Sequence, residues 1–436
     1  MYELKIKETA YPRVLVLSSE CFSNSSSNGR TLGNFLNGWP KSKIAQFFLS
    51  GNPDGMVCEN FYQVTDKQAL KAFLCKSIPY GTIVASKSDA SSGKLSGIGR
   101  TVPKNAVTMF LRELIWESGR WEKYGFHKWV EEYQPQLILL QAGDSGFMCE
   151  LAVQLSEQYS APLVIYNSEC YYFKNFDYFN SKGAAHLLYP LFQKNFCKKF
   201  KKVIQKATTS VYISKELKDE YDNAFHLPSA VIYTATEVLP LDAKDKKEND
   251  RFTVSYLGNM GVGRVDTLCE FADVLHEVHE VAHLDIYGKV KSQEVIEKFN
   301  AHPNVRYKGF VSYDEVLNVM RISDLLIHVE SFDDFYKEDL KFAFSTKIAD
   351  SLASGTCFLL YAPENLACTR YLLENQAAYV ATDKQQLEQQ LRLLIHQNEA
   401  RTRYRSAAEE LVKTNHNAKK NAEAFQRVLL EAYNKK

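Results

Sequence analysis

No stretch of this 436-residue sequence approaches the roughly 18 consecutive apolar residues of a membrane-spanning helix, so an integral membrane protein is not expected. The first residues, MYELKIKETAYPR, place charges where a secretory signal needs its apolar core, which argues against export by that route. Paired cysteines are lacking as well. The nine present (Cys21, Cys58, Cys75, Cys149, Cys170, Cys197, Cys269, Cys357 and Cys368) are odd in number, scattered and never arranged C-x-x-C, which points to a reduced, cytosolic setting. Net charge is nearly absent. The 53 Lys and Arg stand against 52 Asp and Glu, leaving no electrostatic case for nucleic acid as a partner. Nor is there a repeat of short period, which excludes a solenoid.

What is present is a 45% hydrophobic, 13% aromatic chain rich in Tyr and Phe, the composition of a globular protein with well-filled cores or ligand clefts. Its length favours two or more domains. RVLVLSS (13–19) reads as a strand running into a small, polar loop, ECFSNSSSNGRT, and then a helix. IAQFFLSG, LILLQAG from Leu137 and PLVIYNSE from Pro162 follow as strands, with helices such as FMCELAVQLSEQY between them. This alternation implies a parallel sheet with right-handed crossovers. Residues 77–103 are rich in Gly, Ser and Lys and read as a long mobile loop, a lid or an acceptor-side excursion. A helical pattern from Ala184 to Lys206 leads to SVYIS and the short helix KELKDEYDNAF. Beyond the charged stretch 241–251, the runs FTVSYLG, HLDIYG, VRYKGF, LLIHVE, TCFLLYA and AAYVAT, together with the earlier SAVIYTAT, predict a second doubly wound sheet. Residues 384–436 are almost entirely helical. The expected fold is therefore α/β, with Rossmann-like doubly wound domains over 1–214 and 215–415 facing each other across a cleft. A C-terminal helix over 416–436 packs back across their junction.

Residues 344–362, FSTKIADSLASGTCFLLYA, carry the most chemistry. Ser345 and Thr346 are placed to cap a helix starting near Lys347, which leaves free backbone N–H groups pointing at an anion. Asp350 lies one turn further in, where a carboxylate suits ribose hydroxyls. Gly355 ends the helix and TCFLLYA supplies a strand buried on both faces.

With these pieces in this order, the chain resembles the retaining glycosyltransferases of family 4, which have the GT-B fold, over most of its length. In that family a strand ending in Gly precedes a basic pair that holds the nucleotide diphosphate, and here the segment is SYLGNMGVGRVDTL. Arg264 matches the second basic position, Asn259 occupies the first, and the backbone of the Gly258–Gly263 loop can supplement them. NVRYKGFVSYDEVLNVMRISDLLIHV resembles the segment that holds the base, with Gly309, Phe310 and Val311 at the matching loop. The family's E-x7-E pair places Asp350 at its second glutamate, for the ribose. Phe342 stands at the first, and Glu330 is the substitute candidate, the alternative being a strand-end residue. Where the family has a sugar-contacting His, this chain has Gly143 and Asp144, and Asp144 is a candidate for catalysis or for an N-cap. Asn28, Gly29 and Arg30 match the loop near diphosphate and acceptor. Asn167 and Glu169, at a strand end, are acceptor-side candidates.

The resemblance implies transfer of a hexosyl or related group from a nucleoside diphosphate sugar, with retention, to a saccharide or lipid-linked saccharide in polysaccharide biosynthesis. Asp144, Arg264, Lys347 and Glu330 are the catalytic candidates. No cofactor and no metal are expected, and the enzyme would be cytoplasmic or peripheral at the inner face of the cell membrane. A GT-B sugar-nucleotide 2-epimerase and a non-catalytic sugar- or nucleotide-binding subunit are the alternatives. His276, His279 and His283 have helical spacing but read as a solvated helix face, not a metal site. KNFCKKFKKVIQK (194–206) is either an ordinary helix with one face on the core or a helix for a membrane surface.

Overall fold

The computed structural model describes residues 11–24, 26–75, 80–84, 104–123, 125–238, 251–290 and 292–435. The stretch 77–103 is described only at 80–84, and the charged stretch 241–251 only at Arg251. The rest of each lies outside the described residues. Among the described residues no helix is long and apolar enough to cross a membrane.

The chain forms two compact units. One comprises the chain up to Ile232 and resumes at Lys419; the other is Tyr233–Ala418. In the first, β1 (Val14–Glu20), β2 (Ile44–Ser50), β3 (Asn60–Gln63), β4 (Thr82–Val84), β5 (Leu137–Ala142), β6 (Leu163–Asn167), β7 (Thr209–Tyr212) and β8 (Ser229–Val231) make one sheet, ordered β4-β3-β2-β1-β5-β6-β7-β8. β4 runs antiparallel to β3, and all other pairs are parallel. The central runs VLVL, LILL and LVIY are buried on both faces because helices cover both sides of a parallel sheet. The segment SAVIYTAT differs from its sequence assignment. Its β8 portion pairs with β7, Val231 opposite Tyr212, and so closes the first sheet instead of opening the second. Alternation alone does not say which sheet a short, half-buried strand joins. The C-terminal helix Ala418–Asn434 completes this unit's core: Phe425 stacks on Phe35 at 4.9 Å, with Leu429 and Ala432 in the same cluster.

In the second unit β9 (Thr253–Leu257), β10 (His283–Tyr287), β11 (Val305–Gly309), β12 (Leu325–Val329), β13 (Cys357–Tyr361) and β14 (Tyr379–Ala381) form an all-parallel sheet, ordered β11-β10-β9-β12-β13-β14. Strand order reverses between β1 and β5 in the first sheet and between β9 and β12 in the second. Such a switch point leaves a crevice beyond the carboxyl ends of the strands, where ligands of open α/β sheets bind. These two folds are of the doubly wound kind the sequence predicts.

Within the second unit, the stretch entering it at Tyr233 and the one leaving it at Ala418 run together. The Thr236 amide donates to the His416 carbonyl at 2.9 Å, and Thr236 bridges Asn417. The fully buried His416 ring lies 2.7 Å from the Thr234 carbonyl through Nδ1 and 2.8 Å from the Tyr371 hydroxyl through Nε2. A carbonyl only accepts, so Nδ1 carries the proton and Nε2 accepts from Tyr371. Burial pushes the His416 pKa down from 6.5 to about 4, against the opposing pull of the Thr234 carbonyl and Asp350. The folded ring therefore refuses a proton that the unfolded chain takes up below pH 6.5. Stability contributed here is full above that pH and is lost as pH falls toward 4, by up to about 3 kcal/mol. Denaturant titrations between pH 4.5 and 7 are expected to show this slope in the native chain and a shallower one in His416→Gln. Equal slopes would refute the assignment.

Candidate functional site

At the second sheet's switch point the chain leaves β9 through Gly258-Asn259-Met260-Gly261-Val262-Gly263 and enters the helix Arg264–Val278. The loop is tied to itself. The Asn259 side chain accepts from the Gly261 amide at 2.8 Å, and its carbonyl accepts from the Tyr256 hydroxyl at 2.7 Å. Gly263, the N-cap, has φ +75°, and a Cβ on it would sit 2.4 Å from Ser331 Oγ and 2.5 Å from Tyr336 Cδ2. Only a glycine fits both the left-handed backbone and this approach. The loop after β9 is thereby pressed against the one after β12, with the helix N-terminus between them.

Arg264 and Glu330 meet there. The guanidinium grips the carboxylate with two bonds, Nε to Oε2 at 2.9 Å and Nη2 to Oε1 at 2.8 Å, and Nε also donates to the Val329 carbonyl. Both are buried, the side chains being 11% and 3% exposed. His328 Nε2 lies 3.0 Å from Glu330 Oε1. Burial alone would raise the Glu330 pKa, but Arg264 and then His328 outweigh it and hold the carboxyl at about 2. Glu330 is thus the buried counter-ion of Arg264. The Arg264 Nη1 edge makes no hydrogen bond among the described residues. His328 was not singled out from the sequence, yet the signal was there: residues i and i+2 of a strand share a face.

The helix Thr346–Ala353 starts at the same edge of the sheet, since the crossover from β12 to β13 runs it antiparallel to the strands. Ser345 is its N-cap and accepts from the Lys347 amide at 3.3 Å. Lys347 Nζ is half-buried, 3.8 Å from Asp350 Oδ2. Asp350 itself is 1% exposed and accepts from the Thr236 hydroxyl at 2.9 Å. In this structure its carboxylate is therefore engaged within the unit, by a threonine 114 residues away that no local pattern indicates. At the β10 and β11 ends, the Gly309 carbonyl accepts from the Gly288 amide at 2.9 Å. Phe310 stands exposed beside the half-buried Val311, with Lys289 Nζ 4.2 Å from its ring centroid.

In the first unit, Asn28, Gly29 and Arg30 lie not in the loop after β1 but in the opening turn of the helix Ser27–Leu36, capped by Ser26, which accepts from the Gly29 amide at 3.0 Å. Gly29 is buried, and a Cβ there would fall 2.1 Å from the Cys21 carbonyl, so the preceding loop lies directly on the helix. Across the switch point, Ser145 holds the N-cap position of the helix Gly146–Gln158 without a side-chain capping bond and accepts from Arg112 Nη1 at 2.6 Å. Asp144 instead pairs with Lys104 at 2.9 Å. Glu169 accepts from the Tyr171 hydroxyl at 2.5 Å, and that phenol is pushed well above its ordinary pKa by burial, then by Glu169 and Asp144. Asp144 and Glu169 thus share one neighbourhood at the ends of β5 and β6. Asn167 is fully buried and donates to Ser210 Oγ at 2.9 Å, a contact inside the sheet. Among the described residues no group of three or more His, Cys, Asp or Glu is arranged to hold a metal ion, the His276, His279 and His283 run included.

A glycosyl transferase-like family model matches residues 267–427, somewhat over a third of the chain. No curated protein sequence matches. Among solved structures, HepE of Anabaena in complex with UDP and glucose is similar at a TM-score of 0.64 and 11% identity, over 96% of this chain and 99% of that one. Sucrose-phosphate synthase from Thermosynechococcus elongatus is similar at 0.63 and 12%, over 97% and 100%. WaaG, a glycosyltransferase involved in lipopolysaccharide biosynthesis, is similar at 0.56 and 12%, over 95% and 99%. At such identities the likeness shows the fold, which is GT-B.

Proposed function

We propose that this chain is a glycosyltransferase that takes a sugar from a nucleoside diphosphate sugar and passes it, with retention, to a saccharide or lipid-linked saccharide in polysaccharide synthesis, without a cofactor. The observation that carries the reading is the second sheet's switch point. The Arg264–Val278 helix N-terminus and the free Nη1 edge of Arg264 meet there, and the capped helix bearing Lys347 begins at the same edge of the sheet. The similar HepE structure, solved with UDP-glucose, and the glycosyl transferase-like match to the second unit support it.

Sugar transfer leaves negative charge on the departing diphosphate, so groups aimed at that phosphate lower the barrier most. Glu330 neutralises Arg264, which makes Arg264 a directional donor through Nη1 more than a net charge. Lys347, with Asp350 behind it, and the helix N-terminus supply the rest. Gly309, Phe310 and Val311 are the base-side candidates, and Asp350 reaches ribose only if Thr236 releases it. On the acceptor side Asp144 and Glu169 are the carboxylates that would orient a hydroxyl, and Asn28, Gly29 and Arg30 remain acceptor-side candidates. A non-catalytic nucleotide- or sugar-binding subunit is the second reading, favoured by the engagement of Arg264 with Glu330.

UDP-glucose and related donors are expected to raise the melting temperature, and Lys347→Ala is expected to weaken their binding about tenfold or more, as the loss of a charged hydrogen bond of roughly 1.5–3 kcal/mol implies. Calorimetric titration measures it. Failure of every donor in a panel to bind sinks the proposal. Binding without turnover on any acceptor favours the second reading.

A further inference from the structure

The helix Ala184–Lys206 contains no acidic residue and six lysines. Lys199 alone is buried. Its Nζ lies 2.8 Å from Glu113 and also contacts Glu117, both on the helix Ala106–Glu117. Earlier along the same pair, Ala106 and Met109 cluster with Tyr189 and Phe192. Two contact points in the same sequence order mean the helices lie side by side and parallel. Both helices also pack on Gly146–Gln158, so only the side chains that remain exposed beyond these contacts are available to a partner.

That outward surface is unusual in two ways. Leu187 (77% exposed), Leu188 and Leu191 (60%) project from one helix, and Phe110, Leu111 (52%) and Leu114 from the other. Single exposed leucines need no account, but six large apolar side chains on two adjoining helices do. At 100° per residue, Leu187, Leu191, Lys194, Lys198, Lys201 and Lys202 then fall on one face of the longer helix. Lys194, Lys198, Lys201 and Lys202 are exposed and have no ion-pair partner among the described residues, whereas Lys206 lies 3.9 Å from Glu157.

We propose that this surface docks the protein on an anionic lipid bilayer. The leucines and Phe110 would enter the boundary between headgroups and acyl chains while the lysine row meets lipid phosphates, the arrangement of an interfacial amphipathic helix. The charge decides against a second copy of the chain, since pairing the face with itself sets two unpaired lysine rows against each other. The six apolar side chains decide against a nucleic acid, which offers them nothing to bury against.

Flotation of the full chain with phosphatidylcholine vesicles, and with vesicles that also contain phosphatidylglycerol, tests the proposal without reference to any nucleotide, so its failure would leave the proposed activity untouched. The protein is expected to float with the anionic vesicles, less so with neutral ones, and to dissociate as salt rises. Lys198→Gln/Lys201→Gln is expected to weaken partitioning about twenty-fivefold, from roughly fivefold per lysine at an anionic surface. Leu187→Ser/Leu191→Ser is expected to weaken it on the order of tenfold or more. All four positions are exposed, so both variants should melt as the native chain does. No binding to anionic vesicles, or binding that neither variant reduces, overturns the proposal. A solution dimer abolished by the leucine substitutions overturns it in favour of a second copy.

Discussion

Glu330→Ala is expected to destabilise the second unit by about 3–5 kcal/mol, the range for removing one partner of a buried ion pair. The substitution leaves the Arg264 guanidinium, 11% exposed, without its carboxylate, and leaves His328 Nε2 without its partner. The loss is mainly the cost of an uncompensated buried charge and not the net worth of the pair. Arg264→Met/Glu330→Leu, which removes both charges, is therefore expected to be less destabilised than Glu330→Ala alone. Urea titration at pH 7 measures both. The same pair makes stability depend on acid: a carboxyl held at about 2 instead of 4.5 contributes in full above pH 4.5 and loses that contribution as pH falls through 2. A Glu330→Ala variant within 1 kcal/mol of the native chain would show that water reaches the guanidinium. Donor affinity should fall with the stability, because Glu330 is what aims the Nη1 edge.

Gly263→Ala is the second large effect, expected to cost roughly 2–5 kcal/mol from backbone strain at φ +75° and overpacking against Ser331 and Tyr336 together. Either the loop after β12 retreats or the helix start does, and both distort the proposed diphosphate site. Gly261→Ala is the control. Its backbone is not left-handed, and the atoms nearest a Cβ there belong to the Asn259 side chain, 3.2 Å away, which need yield only a few tenths of an ångström. It is expected to stay within about 1 kcal/mol of the native chain. Equal effects of the two substitutions would mean that the Gly263 contact is not what joins the two loops.

Much of the fold was legible because its signals are local. Apolar runs such as VLVL, LILL and LLIHV, spaced by helical patterns, announce parallel strands buried on both faces, and Ser345 before Thr346-Lys347 announces a helix start. The site was legible to the level of which loops, not which contacts. Glu330 read as either a sugar-side carboxylate or a strand end, and the structure makes it the counter-ion of a residue 66 positions earlier. Asp144 read as catalytic or an N-cap; the N-cap position falls to its neighbour Ser145, and Asp144 pairs with Lys104. Asn167, the last residue of β6, donates to Ser210 within the sheet, whereas Glu169 lies two residues beyond the strand and accepts from Tyr171.

The sequence by itself thus determined the two doubly wound sheets, the helix termini and glycines at their switch points, and the lysine row without acidic residues on Ala184–Lys206. These follow from periodicity, capping and composition, which act over a few residues. Only the tertiary structure decided that Arg264 is held by Glu330, that Asp350 is held by Thr236, and that Leu187, Leu191, Phe110 and Leu111 stay exposed on two helices that pack against each other. Each of those depends on bringing together segments far apart in the chain, where burial and the strand register, not neighbouring residues, choose the partner.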